Sequence, residues 1–197
     1  MSPLLALLSA VTFGSADFLG GLATRKSERV FAVVVVSQVA GLAMVLAVLA
    51  VSGGELIRED IGWAAGGGVA GSAGLILLYR GLSVGQMSVV APLSAILTAI
   101  VPVGWGLLSG ERPSAIALVG IPLALVAIAL VSGARLGQLG SGPGVIEGIG
   151  AGVGFGVFFI LIANSDSAEL WTLTFARFAS ISMIILIAVL SLSLIHI

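Results

Sequence analysis

The chain has 197 residues, of which 59% are hydrophobic and 9% charged, with a formal net charge of −1 and a mean hydropathy of +1.26. A soluble domain of this size needs far more polar surface, so the composition excludes that class and indicates a membrane protein. The near-neutral charge, without a large basic cluster, argues against a nucleic-acid partner. The absence of cysteine excludes disulfides and thiolate metal sites.

Seven apolar stretches have the length of membrane-spanning helices. A hydrocarbon layer about 30 Å thick takes roughly 20 residues of helix to cross, and a backbone in lipid must satisfy its own hydrogen bonds. Barrel strands would instead be alternating segments of roughly 10 residues. We therefore predict an all-α integral membrane protein. Its predicted spans are Pro3–Thr24, Val30–Val51, Ile61–Tyr79, Val84–Leu108, Ser114–Gly133, Gly144–Asn164 and Leu170–Leu194.

Asp17 is the one acidic residue deep inside the first span. A carboxylate at the centre of a bilayer costs about 3 kcal/mol on insertion scales, and such groups usually face the bundle interior or a wet cavity. Phe13, four residues earlier, is predicted to share its helix face, and Ser15 lies between them. These three residues are candidates for solute binding or proton coupling. The alternative is that Asp17 pairs with Arg25 or Lys26 at the membrane interface.

Polar residues in later spans provide further candidates. Gln38, Tyr79 and Ser94 can each hydrogen-bond a solute, or can join neighbouring helices. Arg177, about two turns into the seventh span, can bind an anionic group or Asp17, or can extend back to the interface. We find no serine–histidine pair, no aspartate pair and no metal-ligand cluster in the sequence, so we predict neither an enzyme nor a metal or cofactor site.

Glycines and prolines indicate how the helices pack. In the sixth span Gly148, Gly152 and Gly156 recur every four residues, which lets another helix backbone approach closely. The same surface could also let the helix rock against its neighbour. Pro92 and Pro102 lie inside the fourth span, where each removes a backbone hydrogen bond and favours a kink. Neighbouring helices could equally compensate for the missing bonds.

The sixth span restarts the pattern of the first. Because five is odd, a second five-helix copy would enter the membrane upside down, as in the inverted repeats of secondary transporters, where solute binds near the midplane. A shift of 142 positions places Val11, Phe13, Gly14 and Leu19 on Val153, Phe155, Gly156 and Leu161.

Loop charges bear on orientation. With the N-terminus inside, five basic residues would lie outside and two inside, so the positive-inside rule favours an outside N-terminus. The five are Arg25, Lys26, Arg29, Arg80 and Arg135, and the two are Arg58 and Arg112.

Three stretches carry a family resemblance. The sequence from Tyr79 to Val131, with Pro92, Pro102 and Gly-Glu-Arg at 110–112, resembles the third-to-fifth helix signature of EamA-like transporters in the drug/metabolite transporter superfamily. Phe-Gly-Ser at 13–15 and Ala-Arg-Phe at 176–178 are similar to the openings of that family's first and seventh helices. The valine run at 33–36 departs from the family, which has an arginine early in its second helix.

The resemblance implies a ten-helix carrier of small organic metabolites made of two inverted halves, with cytoplasmic termini. Residues 1–135 would be one complete repeat, and residues 144–197 would be the first two helices of a second. We therefore expect this chain to be a fragment of a ten-helix carrier. We expect a multi-pass protein of a prokaryotic plasma membrane that works by alternating access. Its partners would be a small solute, the lipid bilayer and, as coupling ion, protons. The alternative is a membrane scaffold or assembly subunit that packs through its glycine faces.

Overall fold

The computed structural model describes residues 3–131 and 142–195. Within these ranges the chain forms seven α-helices and a short 3-10 turn, Arg58–Asp60, which leads into α3. The helices are α1 (Pro3–Ser27), α2 (Val30–Ser52), α3 (Ile61–Val84), α4 (Met87–Leu108), α5 (Ala115–Val131), α6 (Val145–Ile162) and α7 (Glu169–Ile195).

The predicted all-α membrane architecture is confirmed. Six of the described helices are long and apolar enough to cross a membrane, and α5 is a shorter apolar helix of 17 described residues. The last two residues of the fifth predicted span, 132 and 133, lie outside the described residues, as does Arg135. The main difference is at the end of α3, which continues five residues past Tyr79 to Val84. Arg80, which we predicted to lie in a loop, therefore lies on a helix.

The helices alternate in direction between two ends of the bundle. At one end, the loop from α2 to α3 contacts the loop from α6 to α7, for example through Ala168 N–H and the carbonyl oxygen of Glu55 at 3.1 Å. We call it the clamp end. We call the other end the turn end. The short connections after α1 and α3 lie there, and Gly85 packs against Gly144 at the start of α6. Helix α6 therefore runs opposite to α1, and α7 runs opposite to α2.

Helix α6 lies between α3 and α4, and glycines make both contacts close. On the α3 side, a Cβ atom placed on Gly154 would lie 2.9 Å from the Cα of Gly74 and 3.0 Å from the carbonyl oxygen of Ala70. Real Cβ atoms essentially never approach backbone this closely, so glycine is required there. The two helices touch along their main chains, as close packing in lipid demands.

On the α4 side, the three predicted packing glycines each meet a different residue of α4. Gly148 lies against the backbone of Val90, Gly152 against Leu97, and Gly156 against Val101. Pro92 and Pro102 are half-buried within the same helix. These glycines therefore form one continuous contact with α4, whereas their predicted role as a hinge remains a prediction.

Helices α1 and α5 lie at the periphery. Helix α1 contacts mainly α3, and α5 contacts mainly α4 and has no buried residue. Large apolar side chains on both helices, such as Val11 and Ile116, are well exposed. In a membrane protein such surfaces are suited to contact with lipid.

A network of hydrogen bonds holds the clamp end together. The Oδ2 atom of Asp60 accepts the backbone N–H groups of Asp166 at 2.8 Å and Ser167 at 2.6 Å, and also the Ser167 hydroxyl at 2.9 Å. Ser167 Oγ also accepts the N–H of Ile57 at 3.0 Å, and Trp171 Nε1 donates to the carbonyl oxygen of Gly54 at 3.1 Å. We call residues 53–60 and 165–171 the loop clamp. It joins two loops more than 100 residues apart in sequence.

Replacing Gly154 by alanine should destabilise the protein. The new methyl group would collide with the backbone of α3, which cannot move aside as a side chain can, and such overpacking typically costs about 1–3 kcal/mol. We expect a clearly lower melting temperature in detergent, measured by tryptophan fluorescence. The matched control is Gly104→Ala on α4, where a Cβ meets nothing within 4 Å. Equal melting temperatures for the two variants would contradict the close α3–α6 contact.

Replacing Asp60 by alanine should also lower the melting temperature. The variant removes the carboxylate that accepts the N–H groups of Asp166 and Ser167, and a hydrogen bond to a charged group contributes about 1.5–3 kcal/mol. Asp60 is only 7% exposed. Glu59→Ala, which removes the exposed neighbouring carboxylate, is the control and should melt like the parent. If Asp60→Ala melts at the same temperature as Glu59→Ala, the loop clamp does not stabilise the fold.

Candidate functional site

Four of the polar residues singled out in the sequence come together from four helices. Arg177 Nη1 on α7 donates a hydrogen bond to Gln38 Oε1 on α2. The ring of Tyr79 on α3 lies directly over Gly20 of α1, one turn after Asp17. Tyr79 also interacts electrostatically with both Asp17 and Arg177. We call Asp17, Gln38, Tyr79 and Arg177 the polar cluster.

The polar cluster lies well inside the membrane-spanning region. Asp17 is ten residues before the end of α1, Gln38 eight residues after the start of α2, and Tyr79 five residues before the end of α3. At 1.5 Å per residue, these Cα positions lie about 15, 12 and 8 Å from the turn end. Gln38 and Tyr79 are buried and Asp17 is half-buried. These three residues therefore lie within the apolar helices, nearer to the turn end than to the clamp end.

The side chain of Arg177 points toward the middle of the bundle. Its Cα lies eight residues, or about 12 Å, from the clamp end of α7. Its guanidinium lies over Gly41 and bonds Gln38, positions that are about 17 and 21 Å from the clamp end of α2. A snorkelling arginine would extend toward the nearer interface instead. In the structure Arg177 thus extends toward Gln38 and away from the nearer end of the bundle.

Two glycines that the sequence analysis missed make room for these side chains. A Cβ on Gly41 would lie 2.7 Å from the guanidinium carbon of Arg177, and one on Gly20 would collide with the ring of Tyr79. Each glycine lies three residues after a charged or amide residue of the cluster on the same helix. Positions three apart share a helix face. The spacing of a glycine three residues after a polar residue indicates space beside that residue, but it does not indicate which side chain of another helix fills the space.

The two charges of the polar cluster do not form an ion pair. Within the described ranges, the salt bridge found is between Arg80 and Glu147, with 3.5 Å from Nε to Oε1, near the turn end. Asp17 makes no salt bridge with Arg25 or Lys26 there, so the interfacial pairing considered for it is not observed. Asp17 and Arg177 instead each interact electrostatically with Tyr79.

The other predicted candidates lie outside the polar cluster. Phe13 is 70% exposed and Ser15 is also exposed, both on the outer surface of α1. Ser94 is buried, but its backbone packs against Gly152 in the contact between α4 and α6. The structure thus brings together four of the seven residues proposed for solute binding or coupling.

Two hollows on the described part of the molecule also lie away from the polar cluster. One is at the clamp end beside Asp60, Ser167 and Trp171. The other is a shallow apolar groove along the first half of α5. Neither has a charged group other than Asp60 on its surface, so neither supplies the paired functional groups that the polar cluster contains.

Comparison with known proteins gives one match. A family model described as the EamA-like transporter family matches residues 1–133. No curated protein and no solved structure matches the chain significantly. The matched region contains α1 to α5 and three members of the polar cluster, and Arg177 lies beyond it. Because the match takes in about two thirds of the chain and the helices are those of a multi-pass membrane protein, the chain belongs to the EamA-like transporter family, within the drug/metabolite transporter superfamily.

Proposed function

We propose that this protein is a secondary transporter of small organic solutes and that the polar cluster is its solute site. The observation that carries the proposal is that Asp17 and Arg177, on two different helices, both interact with the buried Tyr79 but form no ion pair with each other in the described ranges. Each ionised group costs about 2.5–3.5 kcal/mol at the membrane centre. Direct pairing would offset part of that cost. Two unpaired charges and a tyrosine hydroxyl are instead free to bind charged or polar groups of a solute.

Each member of the polar cluster has a separate role in this proposal. Arg177 and Asp17 supply opposite charges, and Tyr79 supplies a hydroxyl that can donate or accept. Gln38 holds the guanidinium in place. Because the four side chains come from α1, α2, α3 and α7, a relative movement of these helices would change the site. Alternating access between the predicted inverted halves, residues 1–135 and 144–197, would provide such a movement.

We propose the plasma membrane of a prokaryote as the location and protons as the coupling ion. The carboxylic acid of Asp17 can carry a proton across the bilayer interior without a net charge. The described basic residues near the helix ends are more numerous at the turn end, where Arg25 and Lys26 lie in the last turn of α1 and Arg29 follows it. That distribution favours a cytoplasmic turn end, opposite to the orientation that the family resemblance implies.

Saturable uptake is the experiment that tests the proposed function. The protein is reconstituted into liposomes and exposed to a defined mixture of amino acids, organic acids, nucleosides, sugars and organic amines, and the internal solutes are quantified by mass spectrometry. We expect at least one class to accumulate saturably above protein-free liposomes. A scaffold subunit would accumulate none, and that result would refute the proposal.

Asp17→Asn should abolish the dependence of this uptake on a proton gradient. Asparagine keeps the shape of the side chain but cannot exchange a proton. We expect the initial uptake rate to become flat across external pH. The control is Asp166→Asn, which makes the same change at an exposed loop residue and should retain the parent profile. An unchanged pH profile in Asp17→Asn would remove this residue from the coupling mechanism.

A further inference from the structure

Arg177 has hydrogen-bonding capacity that its surroundings do not use. A guanidinium carries five N–H donors in a planar fork. Within the described ranges, the one hydrogen bond from this group goes to Gln38. Gln38 is neutral, so the bond orients the guanidinium without balancing its charge. The remaining edge of the fork carries both the charge and unused donors.

A purely structural role does not account for a charged group here. If the contact only joined α2 to α7, a neutral amide on α7 could make the same bond to Gln38 without the cost of burying a charge. The rest of the α2–α7 contact already includes apolar packing, with Val34 and Ile184 fully buried in one core. The charge itself is therefore the feature that requires an explanation.

The position of Arg177 is fixed in a way that suits a receptor. Gln38 holds one edge of the guanidinium, and the absence of a side chain on Gly41 leaves room for its flat face. A donor group that is already oriented loses less entropy when it binds a ligand. Carboxylates are the natural ligands of such a fork, because two parallel N–H···O bonds can form at once.

We propose that Arg177 binds an anionic group, of the carboxylate class, on the transported solute, and that Gln38 and Gly41 position it. This inference rests on the proposed function, because it names the chemistry of the solute that the polar cluster receives. Asp17, which forms no salt bridge with Arg177 within the described ranges, is left to bind a proton or a cationic group on the same solute.

The decisive variant is Gln38→Glu. It is nearly isosteric and places a carboxylate where the amide now contacts the guanidinium, so the receptor is occupied by the protein itself. We expect uptake of carboxylate-bearing solutes to fall by about tenfold or more, as for loss of a buried charge-assisted contact. The melting temperature should be equal to or above that of the parent because a buried ion pair has been completed. Loss of uptake together with retained stability distinguishes this effect from misfolding.

Arg177→Gln and Arg177→Lys complete the series. The glutamine variant removes the charge and should lose uptake of the same solutes to a similar extent. The lysine variant keeps a point charge without the planar fork and should retain an intermediate rate. The control is Arg80→Gln, which changes an arginine near the end of α3 whose side chain is 64% exposed and should transport like the parent.

The solutes for this experiment are amino acids, lactate and succinate, each compared with its carboxamide counterpart in the same liposomes. Preference for the carboxylates, lost in Gln38→Glu, is the expected result. Two results would overturn the inference while leaving transport intact: saturable uptake of carboxamides at the same rate as carboxylates, or unchanged carboxylate uptake by Gln38→Glu. Absence of saturable uptake of every compound in the wider mixture refutes the proposed function itself, and the inference with it.

Discussion

The close contact of α6 with α3 and α4 is the constraint on which the rest of the structure depends. Lipid provides little hydrophobic drive between helices, so α6 is held by main-chain proximity, and glycines at 74 and 154 make that proximity possible. Once α6 is fixed, the loop that follows it reaches the loop before α3, and Asp60 joins the two. Helix α7 then begins at a defined place beside α2. The position of Arg177 opposite Gln38 follows from this chain of contacts.

The polar cluster depends on the same packing in a second way. Glycine residues at 20 and 41 let the ring of Tyr79 and the guanidinium of Arg177 lie against neighbouring helix backbones. Both side chains are thus held in place inside an apolar bundle. The same property of glycine that lets the helices approach also leaves space for the polar groups between them. Glycines therefore serve both the close packing of the helices and the placement of the polar side chains that we propose to bind solute.

The sequence predicts the helices well because crossing a bilayer requires long apolar runs. The sequence-based prediction is wrong at the end of α3, since hydropathy falls at Arg80 although the helix continues to Val84. Each member of the polar cluster could be singled out, because a polar group in an apolar run is conspicuous. Their grouping could not be predicted: Gln38 and Arg177 are 139 residues apart, and nothing local records which helices become neighbours.

Phe13 and Asp60 show two further limits of local patterns. Phe13 lies one turn nearer to the clamp end of α1 than Asp17, in the stretch 4–16 where every residue is exposed, so sharing a helix face with Asp17 does not bring it against another helix. No local pattern indicates the structural role of Asp60, because an acidic residue in a polar loop is expected to be solvated. Its three hydrogen-bond partners come from residues 166 and 167, and only the fold brings them to its carboxylate.

The central claim is that the polar cluster receives solutes from water although it lies inside the membrane-spanning region. Since the chain has no cysteine, thiol labelling of single-cysteine variants tests this directly. The two variants to compare are Asp17→Cys and Val11→Cys, both in α1. Val11 is 68% exposed on the outer surface of that helix. A membrane-impermeant sulfonate-bearing methanethiosulfonate should modify the cysteine at 17 and leave the lipid-facing cysteine at 11 unmodified. A cysteine at 17 that is as unreactive as the one at 11, with reagent on either side of the membrane, would contradict the account.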